Sequence, residues 1–171
     1  IRSELERRTF APFEGYARRG EPRLWWPAGT NNWNAVCLAG VTGAALAAIE
    51  EPQRRAWFVA AAEKYVQNFL KGFTPDGYCS EGIGYYNYGF GSYVLLSETI
   101  WQATGGRVDL MEPPLVRQIA TFGPRMEILP GLYPAFADCS PHARPDTQLL
   151  AYLSRRYGCG WSDIEKRAAL R

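Results

Sequence analysis

The stretch NNWNAVCLAGVTGAALA, Asn31 to Ala47, decides the fold class. Its apolar residues Trp33, Val36, Cys37, Val41, Ala44 and Ala45, followed by Ala48, recur at helical spacing. Thr30, Asn31 and Asn32 offer side-chain oxygens for an N-cap, so a helix is predicted from Trp33 to Ile49. The segment has almost no polar face, which predicts burial on most sides, and Gly40 and Gly43 would permit close backbone approach.

Working outward, the loop GEPRLWWPAGTNN precedes this helix, and a charged helix is expected before the loop, from Ser3 to about Arg19. Leu5, Phe10, Phe13 and Tyr16 form its buried side, with an interruption at Pro12. Downstream, Glu50-Glu51-Pro52 punctuates the chain, and Pro52 suits the first turn of a helix running to about Leu70. The predicted apolar face of that helix is Trp57, Ala60, Ala61, Tyr65, Phe69 and Leu70, with Arg54, Glu63, Lys64 and Gln67 in water. Turn signals at Pro75-Asp76-Gly77, Gly82 and Gly84 make the next segment a loop, followed by a helix from about Asn87 to Thr104 that stops at Gly105-Gly106. A short helix follows Pro113-Pro114 through Phe122, and a short strand is conceivable near Met126 to Leu129. Asp146 to Tyr157 reads as a helix with Leu149, Leu150 and Leu153 inward, and a new helix opens at Ser162 to Leu170. The class is all-α, built from buried and amphipathic helices; periodicity alone leaves toroid, bundle and solenoid open.

The 171 residues fit one domain, and a 47% hydrophobic fraction supplies a core of ordinary size. Nineteen basic and seventeen acidic residues leave a formal charge of +2, too small to argue for nucleic acid or a membrane surface. Pairs such as Arg7-Arg8, Arg18-Arg19, Arg54-Arg55 and Arg155-Arg156 read as solvated helix faces. No apolar run approaches the ~18 to 20 residues of a membrane span, and IRSELERR is too charged for a signal-peptide core. The start at Ile1 and the stop within a predicted helix suggest a piece of a longer protein. Cys37, Cys79, Cys139 and Cys159 lack the close pairs of a zinc site, and there is one histidine, so neither metal nor other cofactor is expected. Cys37 reads as a small buried thiol; pairing among the others stays open. No Ser/His/Asp set, phosphate loop or dinucleotide fingerprint is present.

Three segments in order carry a resemblance: Asn31 to Ala47, PDGYCSEGIGYYNYGFGSYVL (Pro75 to Leu95) and YPAFADCSPHARPD (Tyr133 to Asp146). Together they resemble the helical domain of the heparinase II/III-like and alginate lyase-like polysaccharide lyases, over most of the chain. The resemblance implies an incomplete α/α toroid of antiparallel helix pairs over residues 1–171, and a C-terminal β-sandwich domain in the parent protein, outside this sequence. It implies an acidic polysaccharide or oligosaccharide as partner, a periplasmic or secreted setting, and little activity for the helical piece alone.

Such enzymes cut uronate glycans by β-elimination: a base removes the C5 proton and an acid protonates the departing oxygen at C4. A donor to the neighbouring carboxylate stabilises the enolate-like transition state. A tyrosine serves as base, acid or both where its pKa is lowered from about 10. In the family an asparagine–histidine pair at the head of an inner helix neutralises the carboxylate; Asn32 matches the first, and Trp33 stands where the histidine would, with an indole N–H that donates but does not titrate. The catalytic tyrosine follows a His-Gly or Glu-Gly pair, which from Glu81-Gly82 points to Tyr86, with Tyr88 second. Glu81 would orient a sugar hydroxyl or the tyrosine, Asn31 or Asn34 would add a donor, and Asp138 would have a structural role.

From the residues alone, Trp25 and Trp26 offer a flat stacking surface for a sugar ring, or interdomain packing. The asparagines equally suit helix capping, the tyrosines suit core packing with polar tips, and His142 reads as an exposed bystander. Two further readings stand beside the lyase: a non-catalytic acidic-saccharide-binding or scaffold domain of the same fold, and a glycoside hydrolase-like helical barrel using Asp76 and Glu81 as acid and base.

Overall fold

Pro12 brings no N–H to a helix and its ring crowds the carbonyl four residues back, so the helix carrying it must widen ahead of it. In the structure, a computed structural model that describes residues 1–158, α1 (Arg2–Leu5) passes through a π turn at Glu6–Phe10 into α2 (Ala11–Arg19), with Pro12 in its first turn. The interruption expected at Pro12 is therefore a widened turn in one continuous helical path. Gly20, in the left-handed region at φ 77°, ends it. A 3-10 turn at Trp26–Ala28 leads to α3 (Asn32–Ala48) and α4 (Pro52–Leu70). Then come α5 (Gly82–Tyr85), a second π turn at Tyr86–Phe90 and α6 (Gly91–Ala103). α7 (Pro114–Ala120), α8 (Phe122–Arg125) and α9 (Thr147–Tyr157) follow. The described residues are all-α; near Met126 to Leu129 there is only an isolated bridge between Leu129 and Leu132. The helix expected from Ser162 lies outside the described residues.

Two compact units divide these elements. The first, Ile1–Gly72 with Ser92–Leu110, is organised by α3 and α4. Asn34 at the start of α3 meets the carbonyl of Tyr65 late in α4, so the two run antiparallel. Their buried residues include Ala35, Leu38, Val41 and Ala45 from α3 and Phe58, Ala62, Val66 and Phe69 from α4. The expected faces hold in part: Val41, Ala45, Ala61, Phe69 and Leu70 are buried, but Trp33 and Ala60 are exposed, while Phe58, Val59 and Ala62 are buried in addition. A segment apolar nearly all round does not say which side faces in, and packing chose. Nor do Gly40 and Gly43 admit a neighbour; the space where a Cβ would stand is open at both. Cys37 is half-buried and not enclosed.

Arg54, expected in water, instead lies between two carboxylates: its guanidinium donates to Glu6 at 2.7 and 2.9 Å and to Glu14 at 2.8 and 3.0 Å. Arg18, also expected on a solvated face, sits 5.1 Å from the Trp57 ring centroid.

The second unit, Phe73–Gly91 with residues from Met111 onward, has its own core. Tyr86, Phe90 and Phe122 cluster, with the Tyr86 ring 5.4 Å from Phe90 and 5.2 Å from Phe122. Helix formation begins at Gly82, five positions earlier than Asn87, because burial of Ile83 and Tyr86 outweighs the weak helix propensity of Gly84. α9 keeps the predicted face, with Leu149, Leu150 and Leu153 buried and the Asp146 side chain accepting from the Leu149 N–H at 2.8 Å.

Candidate functional site

The three asparagines at the head of α3 have three different environments. Asn31 is the N-cap, its Oδ1 accepting from the Trp33 N–H at 3.2 Å. Asn34 is fully buried, and its Nδ2 donates toward the carbonyls of Trp26 (3.2 Å), Pro27 (2.9 Å) and Tyr65 (3.2 Å), clamping the 3-10 turn onto α3 and α4. Asn68 adds a second donor to the Pro27 carbonyl at 2.9 Å. Asn32 is only 5% exposed, yet its amide makes no hydrogen bond to another described residue, and its polar atoms are not sealed from solvent. A mostly buried amide with access to water can bond to water or to another molecule, whereas Asn34 is consumed by structure.

Two indoles flank that amide in sequence and stand outside the core. Trp25 is 62% and Trp33 46% exposed, with ring centroids 6.1 Å apart and planes at 71°. Trp26, expected beside Trp25 on a stacking surface, is half-buried and stacks on Phe13 at 5.3 Å. The exposed aromatic pair is thus Trp25 and Trp33. α3 is long enough for its N-terminal dipole to favour an anion.

In the second unit, Gly82 turns the chain at φ 83° into α5, and a Cβ there would stand 2.8 Å from the Cys139 Cβ and 3.1 Å from the Phe136 carbonyl oxygen. Only glycine fits that turn. Glu81 is half-buried at the N-cap position without making a side-chain cap bond. Tyr86 is wholly buried, and its hydroxyl donates to the Ala120 carbonyl at 3.2 Å. Burial, with a smaller contribution from the Cys79 thiol, pushes its ionisation well above the ordinary value of 10; the Gly123 N–H pulls weakly the other way. That direction opposes proton abstraction, and the hydroxyl is out of a substrate's reach. Tyr88 is 47% exposed: two positions from Tyr86 and from Phe90, it lies on the side of the helix opposite to the one they bury.

Asp76 is fixed as a turn residue. The Thr74 hydroxyl donates to its carboxylate, as does the Tyr78 N–H at 3.4 Å, and chiefly the Thr74 bond holds it below the usual carboxylate range. An acid kept ionised in a turn is poorly suited to donate a proton in hydrolysis. Asp138 is exposed and makes no hydrogen bond to another described residue; the loop is held instead by Asn87, which donates to the Arg144 carbonyl at 2.7 Å and accepts from the Asp146 N–H at 3.0 Å. His142 is exposed. A groove of about 640 Å³ in the first unit, lined by Leu46, Arg55, Val59, Glu63, Arg107 and neighbours, contains none of these residues.

The roles of Asn34, Asn87 and Arg54 were not read from the sequence. Each depends on partners tens of positions away, and no local spacing announces them. Among the described residues no group of three or more His, Cys, Asp or Glu side chains could hold a metal, and no helix is long and apolar enough to cross a membrane. No family model matches the chain, and no curated protein sequence matches it.

Proposed function

We propose that this chain is part of a polysaccharide lyase-like protein that acts on uronate-containing glycans by β-elimination, with the head of α3 as the acidic-sugar subsite. The observation that carries the reading is the Asn32 amide, 5% exposed and without a hydrogen-bond partner among the described residues. Its Nδ2 donates to the uronate carboxylate, and the positive end of α3 adds to the attraction. Trp25 and Trp33 offer indole faces to the C–H side of a sugar ring. As the carboxylate draws electron density, the C5 proton passes to a phenolate, the C5–H pair becomes the C4–C5 double bond, and the C4–O bond breaks with a proton delivered to the leaving oxygen. Within the second unit, Tyr88 is the exposed phenol offered for proton transfer, while Tyr86 packs in that unit's core. The helices belong, in this reading, to an incomplete α/α toroid followed by a β-sandwich domain, as the resemblance implies.

Incubation with heparan-type, chondroitin-type and alginate substrates, as this chain and joined to such a β domain, tests the reading through the ultraviolet absorbance of unsaturated uronate. Cleavage with loss in Asn32→Ala and Tyr88→Phe supports it; flat absorbance across the panel in both forms refutes the chemistry. A second reading, acidic-saccharide binding without cleavage, is favoured by Trp33, which does not titrate, and by the burial of Tyr86. Retention of the same glycans with no new double bond would select it.

A further inference from the structure

We propose that Cys79 and Cys139 are a reversible disulfide site, closing across the Gly82 turn and fastening the loop after Tyr133 to the start of α5. This goes beyond the glycan reading and does not depend on it. Both cysteines lie beside one residue. The Gly82 N–H donates to the Cys79 carbonyl at 3.2 Å, and the position of a Cβ on Gly82 is 2.8 Å from the Cys139 Cβ and 3.4 Å from its Sγ. Both cysteines are free. Cys79 is buried, 7% exposed, whereas Cys139 is half-exposed and reachable from solvent. Burial raises the Cys79 thiol, the Glu81 carboxylate and the Cys139 thiol add to that, and the N–H groups of Glu81 and Gly82 stabilise the thiolate.

The segments that carry the two thiols are already packed together. Tyr78 stacks on Phe136 with centroids 5.9 Å apart and planes at 13°, and the Asn87 amide ties the loop backbone at Arg144 and Asp146. Cys139 is therefore held near Cys79 from both sides. Ordering of the two segments is already present in the folded protein, so closing the bond adds little further entropy cost there.

The chemistry is thiol–disulfide exchange with a low-molecular-weight disulfide, the class represented by oxidised glutathione. The Cys139 thiolate attacks it, forming a mixed disulfide and releasing one small thiol. The Cys79 thiolate then attacks the Cys139 sulfur, forming the protein disulfide and releasing the second. The protein loses two hydrogens and the oxidant becomes two thiols. Accessible Cys139 makes the first attack, and neighbouring Cys79 resolves it.

The test incubates the unaltered chain with oxidised glutathione under native conditions, blocks remaining thiols, and maps peptides without reduction. The expected result is a Cys79–Cys139 linked peptide pair with joint loss of both thiols, absent after reduction and replaced by mixed pairings in denaturant. Cys79→Ser, checked for native circular dichroism, should trap a glutathione adduct on Cys139, and Cys139→Ser should leave Cys79 unreacted. A stable adduct on Cys139 in the unaltered chain, or native oxidation in other pairs only, would overturn the proposal.

Discussion

Replacing Asn32 and Asn34 separately by alanine should give opposite phenotypes, although the residues are two positions apart on one helix. Asn34→Ala removes an amide that reaches three carbonyls, but it has two hydrogens to share, the Pro27 oxygen keeps Asn68, and the Trp26 oxygen keeps the Gly29 N–H at 3.1 Å. At about 1 kcal/mol net per bond, the loss is about 2 kcal/mol after relief of the buried, unpartnered Oδ1 is counted. For a chain of this size that lowers Tm by about 5 °C. Asn32→Ala breaks no internal hydrogen bond, and alanine's better helix propensity offsets part of the lost packing, so stability should change by less than about 1 kcal/mol. Its cost should appear in binding instead. A hydrogen bond to a carboxylate contributes about 1.5 to 3 kcal/mol, which is about 10- to 150-fold in affinity for a uronate oligosaccharide. Thermal unfolding by far-ultraviolet circular dichroism and calorimetric titration read the two quantities. Equal Tm losses in both variants, with unchanged affinity in Asn32→Ala, would refute the division of labour.

Other expectations follow from the same geometry. Tyr86→Phe leaves the buried Ala120 carbonyl without the phenol and should destabilise by about 1 to 2 kcal/mol in denaturant titration, whereas Tyr88→Phe should abolish cleavage. Arg54 chiefly holds Glu6 below its ordinary value of 4.5, so the folded chain takes up that proton less readily than the unfolded one. The stabilisation is complete above that value and is lost as pH falls through the lower folded value; Arg54→Met should flatten this acid-side slope in a stability–pH profile. Gly82→Ala, forced to φ 83° with its Cβ against Cys139, should cost about 1 to 3 kcal/mol, read as a lowered midpoint in urea. Trp33→Ala should weaken glycan binding and shrink the tryptophan fluorescence change on glycan addition, since the residue is 46% exposed.

Local signals were legible where local physics decides. Pro52 and the loop before it fixed the start of α4, Asn31 was among the caps offered for α3, and Asp146 opened α9. The facing of α3 was not legible, because alanine, glycine and valine on every side leave no polar stripe to orient it. Residues two apart on a helix face opposite ways, so Tyr86 and Tyr88 could not both face in; which of the two does is set by packing against Phe90 and Phe122. Nothing local marks Glu6 and Glu14 as partners of Arg54, which folding brings between them from forty or more positions away. At the candidate site, Asn32 was reached by resemblance, and what the structure adds is the elimination of its neighbours: Asn31 caps and Asn34 clamps.

The most direct measurement is an isotope-edited NMR titration that follows the Asn32 side-chain amide as a uronate oligosaccharide is added, with its carboxyl-reduced counterpart as control. The account predicts a saturable shift of that amide, together with the Trp25 and Trp33 indole signals, for the acidic sugar alone. An Asn32 amide that stays still while the sugar binds elsewhere, or that responds equally to the neutral sugar, would contradict it.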